Sequence, residues 1–210
     1  ILFKSIKNNL SQKGIVIKDL KSLQSGFYTI DNYSELYEVR KILEIQKNFP
    51  DNNLIIKNIS DSNSLDEIKN KNIQIYTTIS WWNLIADTNN LKLDDLGWKS
   101  DPPLGSSENR ENVIKALENN FIQVIAVNSL ALNDENTFTP INERPNGISS
   151  FELVLPLLWE ECISKRAWKI SKLWEHLSFK PSTLLGITVE KLSVGSKRWL
   201  LFDPDKKWLN

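Results

Sequence analysis

The chain has 210 residues, of which 40% are hydrophobic and 25% are charged, a composition typical of a folded globular protein. Its 26 basic and 26 acidic residues balance, which argues against nucleic-acid binding, and no apolar run is long enough to span a bilayer. A single cysteine excludes an internal disulfide and suits a reducing compartment, so we expect a cytoplasmic protein. Because the chain starts with Ile1 and lacks methionine, we also expect a piece of a longer protein.

The first part of the chain predicts alternating strands and helices. In chain order, the patterns predict a strand end at Ile1–Lys4, a helix from Ser34 to about Phe49, a buried strand at Leu54–Ile56, a short helix around Leu65–Asn70 and a strand at Asn72–Ile79. Ser34 is the expected N-cap of the first helix. The apolar side of that helix is expected to consist of Leu36, Val39, Ile42 and Leu43.

The middle of the chain continues the same alternation. Asp101–Gly105 is predicted as a rigid loop because it contains two prolines. Ser106 or Ser107 then caps a helix to about Asn119, with Glu108 in its first turn, and Phe121–Val127 is the next strand. This spacing of strands and helices predicts βα units on a parallel sheet, and therefore an α/β fold.

The last third is predicted to be a helical layer on that sheet. A capping box is expected at Ser149–Glu152, followed by the run 151–163, which is apolar nearly all round and should be a buried helix that Pro156 kinks or divides. Two further helices are predicted at Trp168–Leu177 and at Pro181–Leu185, the second with Gly186 after its end. The segment Lys197–Phe202 is predicted as a strand.

Residues that usually perform catalysis are scarce. The chain has one histidine, His176, and one cysteine, Cys162, and they lie in different helical segments, so they do not form a metal-ligand cluster. His176 has aromatic and apolar neighbours and is interpreted as a helix-surface or satisfied core histidine. No glycine-rich phosphate loop is present. The stretch VIAVNSLAL, at 124–132, contains the end of the predicted strand Phe121–Val127. Asn128 and Ser129 follow that strand end, where an α/β enzyme would carry a catalytic carboxylate or histidine.

A series of short motifs carries a resemblance to a known family. In order, these motifs are DPPLG at 101–105, IQVIAVNS at 122–129, NGISSFEL at 146–153, LPLLW at 155–159, LSVG at 192–195 and LFDP at 201–204. Their order and spacing resemble the C-terminal half of a dihydroorotase, a metal-dependent amidohydrolase. The resemblance is strongest from about Leu91 to Trp208.

The resemblance implies a fold and a reaction. The fold would be the C-terminal half of a (β/α)8 TIM-type barrel at residues 1–190, with 191–210 as the last strand segment of a small β domain. The family reaction is the reversible closure of carbamoyl aspartate to dihydroorotate in pyrimidine biosynthesis, with zinc as the cofactor. The family's small β domain is made by both chain ends, so we expect Lys197–Phe202 to be unpaired or weakly paired here, with Trp199 and Trp208 exposed.

The positions that the resemblance assigns to the family's site are altered in this chain. The family's Asp-His-Ala-Pro-His-like motif corresponds to Asn128–Leu132, so its metal-binding, catalytic Asp is Asn128 and its last histidine is Leu132. The metal-ligand histidines of two earlier strands correspond to Lys4 and to Ile55, the latter within LIIKNIS where the family has an LHxxHIS pattern. A histidine pair becomes Trp81–Trp82. The substrate-contacting Asn and Arg correspond to Asp101 and Gly105.

These changes predict that no zinc or other cofactor is held by this chain and that it is a non-catalytic homologue. Asn128 is expected at the C-terminal mouth of the sheet, near Ile55 and the end of the Ile73–Ile79 strand. The two tryptophans are interpreted as packing anchors, with a ligand-stacking platform as the alternative. The alternative function is an active dihydroorotase whose metal site is completed by preceding sequence. Related systems suggest aspartate transcarbamoylase as a partner, and a homo-oligomer is the other possibility.

Overall fold

The computed structural model describes residues 2–5, 14–52, 54–71, 73, 75–91, 99–141, 143–148, 151–189, 191–197 and 199–206. Its strands are β1 (Leu2–Ser5), β2 (Val16–Ile17), β3 (Thr29–Ile30), β4 (Leu54–Lys57), β5 (Tyr76–Ser80) and β6 (Val124–Ala126). Its α-helices are α1 (Leu20–Gln24), α2 (Tyr33–Asn48), α3 (Ser62–Lys71), α4 (Trp82–Ile85), α5 (Ser107–Glu118), α6 (Asp134–Thr137), α7 (Val154–Leu158), α8 (Ile170–Trp174) and α9 (Lys180–Leu184). Within these ranges, no helix has the length and hydrophobicity that crossing a membrane requires.

The main sheet is parallel, with the strand order β1-β4-β5-β6. In its register, Leu2 lies beside Leu54, Ile55 beside Tyr76 and Ile79 beside Ile125. The prediction that the strands near 54–57, 73–79 and 122–127 are parallel and adjacent is therefore confirmed. The mixed α/β class is confirmed with it.

Two strands are shorter than predicted. β5 begins at Tyr76 instead of Asn72 or Ile73, and β6 occupies Val124–Ala126 instead of Phe121–Val127. The backbone N–H groups of Phe121 and Ile122 both donate to the carbonyl of Ala116 at the end of α5, at 2.8 and 3.1 Å. Because the helix end uses these donors, the two residues do not pair with β5, and the ladder starts later.

The helices follow the predicted pattern with small changes. α5 starts after Ser106, whose side chain accepts from the backbone of Asn109, as predicted. In α2, however, Asn32 occupies the N-cap and Ser34 is a buried residue of the first turn, so the prediction of Ser34 as the cap was wrong. α3 begins three residues before the predicted Leu65. Its buried Leu65 and Ile68 join the core between α2 and the sheet.

A second, two-stranded sheet was not predicted. β2 and β3 pair in parallel, and Val16 forms a further bridge to Leu104 in the proline loop. The backbone N–H of Ile17 donates to the Leu104 carbonyl at 2.8 Å. This small sheet ties the segment between β1 and α2 to the loop before α5.

The predicted fully buried helix at 151–163 is wrong in two respects. The segment consists of a 3-10 turn at Phe151–Leu153, then α7, then a π-helical stretch at Trp159–Ser164. Phe151 is 71% exposed, so the segment is buried on one side only. Pro156 lies in the first turn of α7, where its missing N–H removes no helical hydrogen bond, so it does not break the helix. The predicted capping residue, Ser149, lies outside the described residues.

The helices at 170–184 form a continuous run. A second π-helical stretch, Glu175–Phe179, joins α8 directly to α9, so Pro181 stands inside the run and does not start a separate helix. Gly186 follows with φ of +70°, a left-handed conformation that glycine adopts without strain, and it ends the run as predicted.

The strand predicted at Lys197–Phe202 is not formed in its described residues, 197 and 199–202, so this prediction was wrong. Trp199 is 69% exposed, as predicted, whereas Trp208 lies outside the described residues. Phe202 packs on Trp159, with ring centroids 5.2 Å apart. The division of the chain into domains at 190 and 191 stays a prediction.

Candidate functional site

The C-terminal edge of the main sheet is where side chains from neighbouring strands meet. Just beyond β4 lie Asn58 and Ile59, and the Ile59 N–H donates to the Thr78 carbonyl in β5 at 2.8 Å. Beyond β5 lies Trp81, whose N–H donates to the Ala126 carbonyl in β6 at 3.0 Å. In parallel α/β sheets, this edge carries the functional groups. Asn58, Trp81 and Asn128 are therefore the described residues at which to look for a site.

Asn128 lies two residues beyond β6, whose last residue, Ala126, accepts a hydrogen bond from the Trp81 N–H just beyond β5. Its expected neighbour Ile55 does not lie there. Ile55 is in register with Tyr76, the first residue of β5, and it is fully buried inside the sheet. The backbone of Lys4 is in register with Ile56, one residue before the end of β1. The prediction that Ile55 lies close to Asn128 was therefore wrong.

The residue that the prediction missed is Asn58. In the LHxxHIS pattern laid over LIIKNIS, the second histidine falls on Asn58, and this position is at the strand end while Ile55 is not. The Asn58 backbone has φ of +58°, which asparagine tolerates better than most residues. Its N–H donates to Thr78 Oγ1 at 2.9 Å. This hydrogen bond and the positive φ of Asn58 direct the chain away from β4. The end of the apolar run at Lys57 was the signal that could have identified it.

Trp81 and Trp82 fill the edge beyond β5. Their rings meet edge to face with centroids 5.1 Å apart, and Trp81 is completely buried. A completely buried ring offers no face on which a ligand could stack, so the packing interpretation fits Trp81 better than the stacking platform. Three polar atoms here are buried without a hydrogen-bond partner among the described residues: Trp81 Nε1, Asn128 Nδ2 and Ser129 Oγ.

These donor groups do not fit a catalytic metal. Zinc is held by histidine, cysteine and carboxylate side chains, whereas the edge presents the carboxamides of Asn58 and Asn128 and the indole of Trp81. Over the described ranges, no three His, Cys, Asp or Glu side chains group closely enough to hold a metal ion. A carboxamide also cannot act as a general base, because it does not take up a proton near neutral pH.

The loop 101–105 contains Asp101 and Gly105, the two positions that the resemblance assigns to substrate binding. A cis peptide joins Asp101 to Pro102, and Asp101 is exposed. Gly105 is buried, and a Cβ at this position would collide with the side chain of Asn109. There is therefore no space at Gly105 for the arginine that the family has there. Leu132 is partly exposed and packs near Gly147.

The remaining histidine and cysteine are structural. His176 is fully buried, and its Nδ1 lies 2.9 Å from the Gln123 carbonyl, to which it donates. Burial lowers its pKa to about 4, so it is neutral at pH 7. Burial also raises the pKa of the Cys162 thiol to about 12, which leaves no reactive thiolate. The interpretation of His176 as a core histidine fits this geometry.

A carboxyl side chain that the sequence did not reveal contacts the loop after β4. Glu35, in the first turn of α2, accepts from Ser60 Oγ at 2.6 Å and from the backbone N–H groups of Ser60 and Asp61 at 3.0 Å each. These bonds hold the loop after β4. Asn109 joins the same loop, because its Nδ2 donates to the Ser60 carbonyl at 2.7 Å and its Oδ1 accepts from Ser62 at 2.8 Å.

Burial raises the pKa of Glu35 to about 7, against the opposing effect of its hydrogen bonds. A carboxyl whose pKa is higher in the folded than in the unfolded state stabilises the fold most below pH 4.5. This contribution is lost as the pH rises through 7. Glu35 therefore makes the fold less stable between these two values as the pH increases.

Comparisons with known proteins agree with this geometry. No protein-family model matches the chain. It is 25% identical over 210 residues to a probable dihydroorotase-like protein of Synechocystis sp., covering 95% of this chain and 46% of that protein. It is 25% identical over 187 residues to the dihydroorotase of Staphylococcus epidermidis, covering 88% and 44%. It is 28% identical over 192 residues to probable allantoinase 2 of Dictyostelium discoideum, covering 84% and 37%. The chain thus spans less than half the length of these relatives.

Solved structures give the same fold. The L-hydantoinase (dihydropyrimidinase) of Arthrobacter aurescens superposes with a TM-score of 0.70 at 21% identity, covering 80% of this chain and 39% of that one. The dihydroorotase of Saccharomyces cerevisiae superposes with a TM-score of 0.63 at 13% identity, covering 76% and 45%. The described sheet and helices thus have the fold of these solved structures over the matched residues. Together with the sequence relatives, this confirms the resemblance to dihydroorotases that the motifs predicted.

Proposed function

We propose that the chain forms half of a (β/α)8 barrel. Four parallel strands in the order β1-β4-β5-β6, with helices between consecutive strands, are half of the eight that such a barrel needs. The coverage of about two fifths of the hydantoinase agrees with that fraction. In this proposal residues 1–190 belong to the barrel and 191–210 to the small β domain.

We further propose that the chain is a non-catalytic homologue in the dihydroorotase family. The observation that carries this proposal is the chemistry of the strand ends, where Asn58, Trp81 and Asn128 offer amides and an indole. Closure of carbamoyl aspartate to a cyclic amide needs a group that activates the reacting nitrogen or water, and neutral amides cannot supply it. The side chains at this edge can donate hydrogen bonds and pack against neighbouring side chains.

The alternative is an active dihydroorotase whose metal site is completed by residues outside this sequence. The names of the relatives, which include dihydroorotase and allantoinase, support the reaction class for either alternative. The two proposals differ in the ligands that this chain must contribute. For an active enzyme, the positions just beyond β4 and β6 would have to work as Asn58 and Asn128 instead of histidine and aspartate.

As a partner we propose aspartate transcarbamoylase, held in its oligomer by this non-catalytic subunit, with a homo-oligomer as the second possibility. The proposal rests on the family resemblance and places the protein in the cytoplasm. The balanced charge of the chain, with 26 basic and 26 acidic residues, supports a protein partner better than a nucleic acid.

The experiment combines elemental analysis of the full-length protein with an assay of carbamoyl aspartate cyclisation. We expect no stoichiometric zinc and no turnover. The variant Asn128→Asp should recover neither, because the other strand ends still lack ligands. Asn133→Asp, an exposed N-cap residue of α6, is the matched control. One tightly held zinc per chain together with turnover would establish the active alternative.

A further inference from the structure

A polar cavity of about 290 Å³ lies outside the strand-end site, where the N-termini of α3 and α5 meet the segment after β2. It is lined by Lys18, Asp19, Asn32, Asp61, Asp66 and Glu108, among others. An adjoining groove of about 540 Å³ shares Lys18, Asp19 and Asn32 with it. The groove adds the apolar side chains of Leu20, Leu23 and Leu36. The two spaces together have a polar, acidic end and an apolar end.

One residue that lines this cavity, Asp61, has a carboxylate oxygen without a partner among the described residues. Asp61 is only 3% exposed, and its Oδ1 accepts from the backbone and side-chain N–H groups of Asn63, both at 3.0 Å. Its Oδ2 is buried and accepts no hydrogen bond from any described residue. The loop is not loosely built, because the Asp61 N–H donates to Glu35 at 3.0 Å. A buried carboxylate oxygen without a donor is costly, which points to a group that donates to it.

The charge around Asp61 is negative and is not compensated within the described residues. Four carboxyl residues line the cavity, against Lys18 as the one basic residue. Neither Asp61 nor Glu35 has an ion pair there, and Asp66 pairs with Lys69 on the exposed side of α3. The N-termini of α3 and α5 contribute about half a positive charge each, which is less than the excess. Burial and the Asp66 carboxylate both raise the pKa of Asp61, and a cation placed beside Asp61 would oppose this rise.

The arrangement of the cavity's carboxyl groups fits an organic ammonium group better than a metal ion. The cavity's carboxyl groups do not converge in threes, at least among the residues that the structure describes. A divalent ion would therefore lack its ligand set. A primary ammonium group needs fewer contacts, since one buried carboxylate and neighbouring amide oxygens satisfy its donors. Asn32, whose Oδ1 is also buried without a partner, lies at the junction of cavity and groove.

We propose that this cavity binds a primary ammonium group carried on a short apolar chain. The ammonium donates to Asp61 Oδ2 and Asn32 Oδ1, and the apolar chain lies along Leu20, Leu23 and Leu36 in the groove. The site is separate from the strand ends, so this proposal does not depend on whether the protein is catalytic.

The test is isothermal titration of the full chain with n-hexylammonium chloride, with n-hexanol and sodium hexanoate as probes of equal chain length. We expect n-hexylammonium to bind and the other two not to bind. Asp61→Asn keeps the size of the side chain and its Oδ1 acceptor but removes the charge, and it should weaken binding by about tenfold or more. Leu23→Ala should weaken binding about threefold to tenfold through lost apolar contact.

The matched control is Asp51→Asn, an exposed carboxylate beyond the other end of α2, about 24 Å along the helix axis. It should leave binding unchanged. Circular dichroism of each variant verifies that the fold is intact. Absence of n-hexylammonium binding to the folded chain would overturn the proposal. So would equal binding by Asp61→Asn, or binding of n-hexanol as tightly as the amine. Binding of magnesium or calcium chloride with displacement of the amine would assign the cavity to a metal instead.

Discussion

His176 shows how a single side chain can couple folding to pH. Its Nδ1 donates to the Gln123 carbonyl in the segment leading into β6, and its ring lies 6.1 Å from that of Trp168. Its Nε2 is buried and has no hydrogen-bond partner among the described residues. A proton added there would be a buried charge without a partner, which explains the low pKa.

The resulting prediction concerns acid stability. A histidine with a folded pKa of about 4 and an ordinary value of 6.5 stabilises the fold fully above pH 6.5, and this contribution is lost as the pH falls through 4. We expect the free energy of unfolding to fall by between about 1 and 3 kcal/mol over this range through His176. Urea titrations at several pH values measure it.

The control variant is His176→Gln, which can still donate to Gln123 but does not titrate. Glu35 has the opposite pH dependence in an overlapping range, so the difference between the native chain and the variant isolates the histidine. A difference that does not change between pH 7 and pH 4 would contradict the prediction.

A partly buried ion-pair network joins α5 to the C-terminal helices. Arg110 lies 3.2 Å from Asp87 and 3.1 Å from Glu161, which is in the first π-helical stretch. Arg166 contacts the same Glu161 at 3.0 Å and Glu111 at 2.5 Å. The side chains of Asp87 and Glu161 are each only 8% exposed, so their carboxylates depend on these arginines.

We predict that Arg110→Leu lowers the free energy of unfolding by about 3 kcal/mol, because it leaves two buried carboxylates with fewer partners. The matched control is Arg40→Leu, which removes a 3.0 Å ion pair with Glu67 on the surface, where the arginine is 58% exposed. That change should cost less than about 1 kcal/mol. Denaturant unfolding of both variants measures the difference, and equal effects would refute the argument.

Elements with local signals were the ones that the sequence could predict. α5 has its cap, its acidic first turn and its apolar spacing within thirteen residues, and its bounds were predicted closely. β6 was predicted too long because Phe121 and Ile122 bind the end of α5, a competition that hydrophobicity does not show. The π-helical stretch at Trp159–Ser164 contains Glu161, whose arginine partner Arg110 is 51 residues away in the sequence.

The residues of the candidate site also differ in how well the sequence predicts their positions. The position of Asn128 just beyond β6 could be predicted because this residue follows an apolar run that is typical of a strand. Ile55 was misplaced because the LHxxHIS pattern contains two histidine positions, and only the register of β4 shows that Asn58 is at the strand end. The contact of Glu35 with Ser60 spans 25 residues and has no local pattern at all.

The main sheet has two outer strands, β1 and β6. Each is paired on one side only within the described structure. Unpaired N–H and C=O groups on such edges bind other strands. Exposed apolar side chains near the C-terminus, including Trp199 and Leu201, form a second surface that favours association with other chains.

We therefore predict that the 210-residue chain, expressed alone, self-associates or precipitates. Size-exclusion chromatography with light scattering should show species above the 24.2 kDa monomer. The variant Trp199→Ser with Leu201→Ser removes the apolar surface without changing the sheet edges. If the edges are the main cause, this variant should still associate. A monodisperse monomer of the unchanged chain would contradict the prediction.

The tight fit at Gly105 limits the side chains that this position can carry. Asn109 occupies the volume that any larger side chain at position 105 would need, and it holds the loop after β4 through Ser60 and Ser62. An arginine placed at position 105 would displace Asn109 and release that loop. Gly105→Arg therefore requires a second, compensating mutation before the loop can keep its conformation, so the two positions can change only together.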